Sequence, residues 1–152
     1  MIDKINKKIL TELQKDGRIS NVDLANKVNL SPAACLERVR RLTEAKYILG
    51  YSAQLNPDLL NVSLLIFIEV LLDRTTSDVF QEFKHAVQTI PEIVECHMVA
   101  GGFDYLLKVR VKDMNAYRDF LGKTLTNLKG VRETRTYAVM DEVKNEMCLP
   151  IN

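Results

Sequence analysis

The first fifty residues repeat apolar side chains at helical spacing in three segments. Isoleucine and leucine recur every three or four positions over residues 2–13, and a polar turn follows at residues 16–17. Ser20, with Asp23 three residues later, resembles a capping box and predicts a second, short helix that reaches residue 28. A turn at residues 29–31 precedes a third helix. The spacing therefore predicts a small helical domain over residues 1–50.

The third helix separates an apolar side from a basic side. It lies in the segment LSPAACLERVRRL, where Ser31 suits the N-cap and Pro32 the first helical position. Successive residues of an α-helix are rotated by about 100° about its axis. This rotation places five residues on the apolar side: Cys35, Leu36, Val39, Leu42 and Thr43. The opposite side carries Ala34, Glu37, Arg38 and Arg41, with Ala33 and Arg40 flanking them. The apolar side is expected to pack against its neighbouring helices.

The basic side of this helix suits the major groove of DNA. Small side chains near the helix N-terminus permit close approach, and arginine binds guanine or phosphate through its planar guanidinium. The predicted DNA-binding residues are Ser31, Ala33, Ala34, Glu37, Arg38, Arg40 and Arg41. The alternative is a solvated face whose arginines pair with Glu37 and Glu44. The short helix and tight turn before it favour a helix-turn-helix.

From residue 62 onwards, strand and helix patterns alternate in two similar halves. The first half predicts a strand over residues 64–72, a helix over 78–88 and a strand over 93–99. The second predicts the same order over residues 105–111, 114–125 and 131–140. Two strand-helix-strand units on this length predict an α+β domain of the ferredoxin-like βαββαβ type, with both helices on one face of an antiparallel sheet. A further strand is predicted over residues 51–56, where the chain leaves the first domain.

Both sides of the first strand of this sheet are strongly apolar. One side carries only apolar residues from Leu64 to Leu72, and the other carries Leu65, Phe67 and Leu71 beside Glu69. Leaving such side chains in water forfeits about 25 cal/mol per Å². We therefore expect a second subunit to cover the open face, so that the protein is at least a homodimer. A dimer also presents two DNA-binding helices to a symmetric site.

Charge is divided unevenly along the chain. The formal net charge is +1. Residues 1–50 carry ten Lys or Arg against six acids, or +4, and the remainder carries eleven against fourteen, or −3. This asymmetry is expected when one part of a protein meets a polyanion and the other does not. It favours double-stranded DNA as the partner of the first domain.

Composition excludes several classes of protein. The 152 residues, 47% hydrophobic and 27% charged, are typical of a globular chain. No apolar run approaches the roughly 20 residues of a membrane-spanning helix, and the first ten residues do not resemble a signal peptide, so we expect a cytoplasmic protein without membrane contact. The three cysteines lie far apart, which argues against a disulfide framework or a zinc site. We expect them to be small buried side chains.

The segment NVDLANKVNLSPAACLERVRRL, and the rest of the chain with it, resembles the Lrp/AsnC family of bacterial and archaeal transcription regulators. The Leu-Ser-Pro start followed by Arg-Val-x-x-Leu is fairly specific to it. The resemblance implies a winged helix-turn-helix joined to a ferredoxin-like domain of the ACT-like (RAM) type. It also implies dimers that assemble further, an octamer being expected. Apart from an amino-acid effector, leucine or methionine, it implies no cofactor.

One position departs from the pattern of the family. Glycine usually ends the third helix in its members, whereas Ala45-Lys46-Tyr47 stands here. Lysine in a left-handed C-terminal cap costs about 1 kcal/mol. Either the protein bears that cost or the helix ends differently.

The loop between the second and third strands is the candidate effector site. Gly101-Gly102 predicts a tight turn, and it also exposes backbone N–H groups that a carboxylate can bind. Asp104 is positioned to accept from an ammonium group, and Val99 and Leu106 to line an apolar pocket. The resemblance implies that this loop and the last strand of a neighbouring subunit bind the amino acid. The full predicted set is Val99, Gly101, Gly102, Phe103, Asp104, Tyr105, Leu106, Thr134, Arg135 and Thr136.

Some roles stay open from the residues alone. A salt bridge to a nearby acid is an equal alternative for Arg135. An enzyme with His97, Asp104 and Tyr105 as an acid-base set is a rival class, and a metabolite-binding subunit of an enzyme complex is another. The spacing does not support the enzyme, because nucleophile-elbow, phosphate-loop and metal-ligand patterns are missing from the sequence. The metabolite-binding subunit explains the second domain but leaves the arginine-bearing helix without a role.

The predicted organisation has four parts. Residues 1–50 form the DNA-binding domain, 51–61 a linker strand or hinge, 62–143 the ligand-binding and oligomerisation domain, and 144–152 a C-terminal tail. The predicted function is that of a non-enzymatic, sequence-specific transcriptional regulator. Its assembly and DNA binding are expected to respond to the amino acid bound at a subunit interface.

Overall fold

Three helices follow one another in the first fifty residues, as the apolar spacing predicts. In the computed structural model, which describes residues 2–73 and 78–151, they are α1 (Lys4–Lys15), α2 (Asn21–Val28) and α3 (Pro32–Glu44). Each begins with a side chain that accepts a hydrogen bond from the backbone N–H three residues later. These N-caps are Asp3, Ser20 and Ser31. The two caps that the sequence predicts, at Ser20 and Ser31, are confirmed.

The three helices enclose a small apolar core. Its buried members are Ile9, Leu24, Ala25, Val28, Cys35, Leu42 and Ile48. On α3 the buried stripe is narrow, since Cys35 and Leu42 are buried and Val39 is half-buried. Leu36, which the helical rotation places on the apolar side, is 59% exposed, and Thr43 is exposed as well. That part of the prediction is wrong, because both residues lie at the margin of the stripe.

The C-terminus of α3 adopts the left-handed cap at the position where the family usually has glycine. Lys46 has φ +62°, its N–H donates to the Thr43 carbonyl, and the Tyr47 N–H donates to the Leu42 carbonyl. These two bonds are those of a Schellman motif. The helix therefore ends in a left-handed cap, with lysine in a conformation that its Cβ disfavours.

Replacing Lys46 with glycine is expected to stabilise the helical unit by about 1 kcal/mol, because glycine adopts φ > 0 without the Cβ contact. Thermal unfolding followed by far-UV circular dichroism measures the effect. Ala45→Gly is the matched control: Ala45 has φ −77°, so glycine there gains nothing and is expected to destabilise. A Lys46→Gly variant no more stable than the wild type would contradict this account.

The second half of the chain forms a four-stranded antiparallel sheet. Its strands are β1 (Leu64–Leu72), β2 (Ile93–Met98), β3 (Tyr105–Val111) and β4 (Val131–Ala138), in the order β2-β3-β1-β4. Helix α4 (Val79–Val87) connects β1 to β2, and α5 (Met114–Lys123), followed by a 3₁₀ turn (Leu125–Asn127), connects β3 to β4. The predicted ferredoxin-like fold is confirmed, and its element bounds differ from the prediction by no more than two residues. Residues 74–77, within the predicted second domain, lie outside the described residues.

One face of the sheet packs on both helices. Alternate residues of β1 and β3, among them Ile68 and Leu107, are buried, together with Phe83 of α4 and Phe120 of α5. The opposite face is less apolar than β1 alone suggests. Register places Lys108 of β3 beside Phe67 and Arg110 beside Leu65, so cations stand next to the apolar residues.

Two predictions about local structure are wrong. Residues 51–56, all of them described, contain no regular secondary structure and are exposed. A strand requires a neighbouring strand for its hydrogen bonds, and alternation alone does not supply one. The cysteines also differ from expectation: Cys35 is buried, whereas Cys96 is half-buried and Cys148 exposed.

The chain divides into two compact units, Met1–Gln54 with Lys144–Asn152, and Leu55–Val143. The C-terminal segment therefore belongs to the helical unit, where it packs on α1. The Gln14 side chain accepts from the Leu149 N–H at 2.6 Å and donates to the Leu149 carbonyl at 3.1 Å. The side-chain amide of Gln14 thus satisfies both backbone polar groups of Leu149, as the backbone of a neighbouring strand does in a sheet. Among the described residues, no helix is long and apolar enough to cross a membrane.

Candidate DNA-binding helix and ligand cavity

The start of α3 is held in place by side chains of the preceding turn and helix. Ser31 Oγ accepts from the Ala34 N–H at 3.3 Å, and the side-chain amide of Asn21 on α2 donates to the Pro32 carbonyl at 2.8 Å. Ala33 and Ala34 are exposed. The first turn of α3 therefore offers a surface of small side chains that a groove can approach closely.

Glu37 is the centre of an ion-pair network on the exposed side of α3. Its Oε1 accepts from Arg40 Nη2 at 2.8 Å and from Arg41 Nε at 2.7 Å, and its Oε2 accepts from Arg40 Nε at 2.9 Å. Arg40 also donates to Glu44 through Nη1. The guanidinium groups of Arg40 and Arg41 lower the pKa of Glu37 to about 2, and the carboxylates of Glu37 and Glu44 raise the pKa of Arg40.

Arg38 is turned towards the N-terminus of α1. Its Nη1 donates to Asp3 Oδ2 at 2.7 Å and to Asn6 Oδ1 at 3.0 Å. The pKa of Asp3 is lowered, first by the Asn6 backbone N–H and then by the Arg38 guanidinium. Arg38 thus connects α3 to α1, a contact that the sequence gives no signal for.

The three arginines therefore differ in how available they are. The side chains of Arg40 and Arg41 are 58% and 73% exposed, whereas that of Arg38 is 32% exposed. The pairing that the sequence left as the alternative does occur for Arg40 and Arg41. Because these ion pairs are exposed, each is weak and phosphate can replace the carboxylate. The predicted DNA-binding residues stay a prediction, with Arg40 and Arg41 the most accessible cations among them.

A cavity of about 300 Å³ opens beside the loop between β2 and β3, a volume typical of the smaller ligand sites. Its lining residues come from β1, this loop and β4. They are Glu69, Leu71, Gly102, Phe103, Glu133, Thr134 and Arg135. Four of the predicted effector residues are thus brought together: Gly102, Phe103, Thr134 and Arg135.

The cavity combines both charge signs with apolar side chains. Arg135 Nε donates to Glu133 Oε1 at 3.2 Å. This salt bridge to a nearby acid is the alternative role of Arg135 that the sequence leaves open. Glu69 Oε1 accepts from Tyr137 Oη at 3.1 Å, and this bond raises the pKa of Tyr137. Leu71 and Phe103 supply apolar surface. Such a site can bind an ammonium group, a carboxylate and an apolar side chain at once.

The remaining predicted effector residues lie away from the cavity lining. The Asp104 side chain is 3% exposed, and its Oδ2 accepts from the Leu72 N–H at 2.8 Å. Tyr105 is buried on the helix side of the sheet, its ring centroid 4.8 Å from that of Phe83, and burial raises its pKa. Thr136 pairs with Tyr117. Val99, Gly101 and Leu106 are not among the lining residues.

Three lining residues, Glu69, Leu71 and Glu133, were not predicted. Glu69 had a signal, since it is the one charged residue in the strand Leu64–Leu72. Its position in the cavity depends on sheet order, because β1 and β4 are neighbours and Glu69 pairs with Arg135. The order of strands is not readable from apolar alternation.

A helix-turn-helix unit with exposed arginines, followed by an α+β unit with a ligand-sized cavity, defines a class of small-molecule-responsive DNA-binding proteins. Comparison with family models agrees with this class. The "Winged helix-turn-helix DNA-binding" model matches residues 2–48, and the "Lrp/AsnC ligand binding domain" model matches residues 65–149. The chain belongs to the Lrp/AsnC family of transcriptional regulators, and it is a DNA-binding regulator rather than an enzyme. The predicted family, fold class and function class are confirmed.

Individual relatives resemble the chain over its full length. A leucine-responsive regulatory protein of Klebsiella pneumoniae is 59% identical over 150 residues, covering 99% of this chain and 92% of the relative. The crystal structure of a transcriptional regulator of Neisseria meningitidis, in complex with L-methionine, has a TM-score of 0.97 at 38% identity and covers 100% of this chain and 98% of its own. A feast or famine regulatory protein of M. tuberculosis, complexed with L-methionine, has a TM-score of 0.87 at 32% identity, with both chains fully covered.

Proposed function

We propose that this protein is a homodimeric regulator whose α3 helices bind a two-fold symmetric DNA site, and whose assembly responds to leucine or methionine in the cavity beside Gly102. The cavity carries the proposal, because it places Arg135, two carboxylates and apolar side chains around one volume. The bacterial relatives named above support a cytoplasmic location, where the chromosome lies.

The cavity matches the chemistry of a zwitterion with an apolar side chain. Arg135 suits the ligand's carboxylate as a bidentate donor, and Glu69 and Glu133 suit its ammonium group. Among the described residues, nothing lies within 4 Å of a Cβ added at Gly102, so a ligand has room to approach the backbone. The relatives solved with L-methionine support an amino acid of this type.

The open face of the sheet supports assembly. Phe67 and Leu71 are only partly buried on it and Tyr137 is 49% exposed. A second copy would remove this surface from water. We propose that dimers form through such a contact and assemble further, to an octamer as the resemblance implies. Light scattering with and without leucine or methionine tests the number of subunits and its dependence on the ligand.

Replacing Arg135 with alanine is expected to weaken binding of L-leucine and L-methionine by at least about tenfold, because a charge-assisted hydrogen bond to the carboxylate is lost. Isothermal titration calorimetry measures the Kd. Arg132→Ala is the matched control, since Arg132 is an exposed cation on the same strand outside the cavity lining. DNA binding without ligand is expected to be unchanged in both variants. Equal Kd values for the two variants would overturn the assignment of the site.

A further inference from the structure

The three arginines of α3 are matched by three bonded carboxylates, two on α3 itself and one at the N-cap of α1. The cations are Arg38, Arg40 and Arg41, and the carboxylates bonded to them are Asp3, Glu37 and Glu44. Three positive charges therefore stand against three negative ones. Each of these carboxylates offsets part of the electrostatic attraction between the arginines and DNA phosphates. Attraction to phosphate alone therefore does not explain their presence.

Glu37 differs from the other two carboxylates in what it binds and where it lies. It is the one that bonds both Arg40 and Arg41, whereas Glu44 bonds only Arg40 among the described pairs. Glu37 follows Ala34 by one helical turn on the exposed side, and Glu44 lies seven residues further along, about 10 Å by helical rise. Of the two, Glu37 is nearer to the small-residue surface that approaches the bases.

A carboxylate at this position acts on DNA binding in two opposite ways. Near phosphates it repels, and it also competes with them for the guanidinium groups of Arg40 and Arg41. In the major groove it is a good acceptor for an amino group, which cytosine presents at N4 and adenine at N6. Sequences that lack such a donor at this point therefore leave the carboxylate desolvated and without a partner.

We propose that Glu37 is a specificity-determining residue. By pairing with Arg40 and Arg41 it weakens sequence-independent binding to DNA phosphates. On the operator, a base amino group donates to its carboxylate and compensates its charge. The inference rests on the proposed placement of α3 in the major groove. It assigns specificity to a carboxylate and affinity to the arginines around it.

The test compares Glu37→Gln with Glu44→Gln, which makes the same change in net charge on the same helix. Fluorescence anisotropy measures the Kd for two probes between about 50 mM and about 200 mM salt. One probe is a duplex selected from a random pool by the wild-type protein, and the other is calf-thymus DNA. Circular dichroism melting of each variant verifies that it is folded.

Glu37→Gln is expected to bind calf-thymus DNA roughly tenfold more tightly, with a salt slope steeper by about 0.9 per additional phosphate contact. The ratio of the Kd for calf-thymus DNA to that for the selected duplex is expected to fall at least about tenfold. Glu44→Gln is expected to change this ratio by less than about threefold, since Glu37 still bonds both Arg40 and Arg41. Glu37→Asp keeps the charge and shortens the reach, so it is expected to keep the weak binding to calf-thymus DNA and lose preference for the selected duplex.

Two results would overturn the proposal. Equal effects of Glu37→Gln and Glu44→Gln would mean that net charge alone matters, and an unchanged ratio for Glu37→Gln would remove any role in specificity. A wild-type protein that selects no duplex from the pool would contradict the proposed function itself, and this inference would fall with it. That outcome is distinguishable, because it is read on the wild type before any variant is measured.

Discussion

Replacing Arg40 and Arg41 together with alanine is expected to weaken binding to a selected DNA duplex by at least about a hundredfold. Their side chains are the most exposed cations of α3 in the predicted set. Each guanidinium that neutralises a phosphate releases condensed counterions, which contributes about tenfold in affinity at moderate salt. The loss also leaves Glu37 and Glu44 facing DNA without their partners, which adds repulsion.

The salt dependence distinguishes lost contacts from a damaged fold. The slope of log K against log salt concentration is expected to become shallower by about 0.9 for each phosphate contact removed, or about 1.8 per protomer. Anisotropy titrations at several salt concentrations give the slope. A misfolded variant would lose affinity together with its cooperative melting transition.

A matched control removes two cations elsewhere. Arg118 and Lys123 on α5 are exposed, and the double change to alanine alters net charge by the same amount. Its DNA affinity is expected to stay within about threefold of the wild type, since distant exposed charges are screened over about 10 Å. If both double variants lost affinity equally, the arginines of α3 would have no special role.

Replacing Gly130 with alanine is expected to destabilise the second unit by about 2–5 kcal/mol, from overpacking and backbone strain together. Gly130 precedes β4 with φ +85°, a conformation in which side chains are strained, and an added Cβ would lie 2.0 Å from Val79 Cγ2. Its carbonyl also accepts from the Asp73 N–H at 2.7 Å, so the backbone there is held at the end of β1. Calorimetric melting measures the loss.

Two further variants separate the causes. Val79→Ala removes the side-chain atom that an added Cβ at residue 130 would meet, but the backbone strain at residue 130 remains. Gly130→Ala is therefore expected to destabilise the Val79→Ala protein by less than it destabilises the wild type. Gly122→Ala is the control, because Gly122 lies within α5 and no atom of the described part of the chain comes within 4 Å of an added Cβ. Alanine there is expected to stabilise by up to about 1 kcal/mol. A Gly130→Ala protein as stable as the wild type would contradict the described packing.

Much of the fold was predictable because its signals are local. Strands β1 and β3 match their predicted bounds, since each strongly apolar segment is bounded by polar residues on both sides. The caps at Ser20 and Ser31 form because a hydroxyl reaches the N–H three residues later in any helix that begins there. The site was less predictable. Gly102 and Arg135 line the cavity and their role in binding an effector stays a prediction, while Asp104 is buried against the backbone of β1.

The amino-acid sequence by itself determined the helices and strands of both units, the caps at Ser20 and Ser31, the two-domain order and the family, because periodicity and short motifs depend on neighbours along the chain. Only the tertiary structure decided which charges meet. Arg38 binds Asp3, thirty-five residues away, and Glu69 joins Glu133 and Arg135 through the pairing of β1 with β4. These partners are set by packing and sheet register, which bring together residues whose spacing along the chain carries no period.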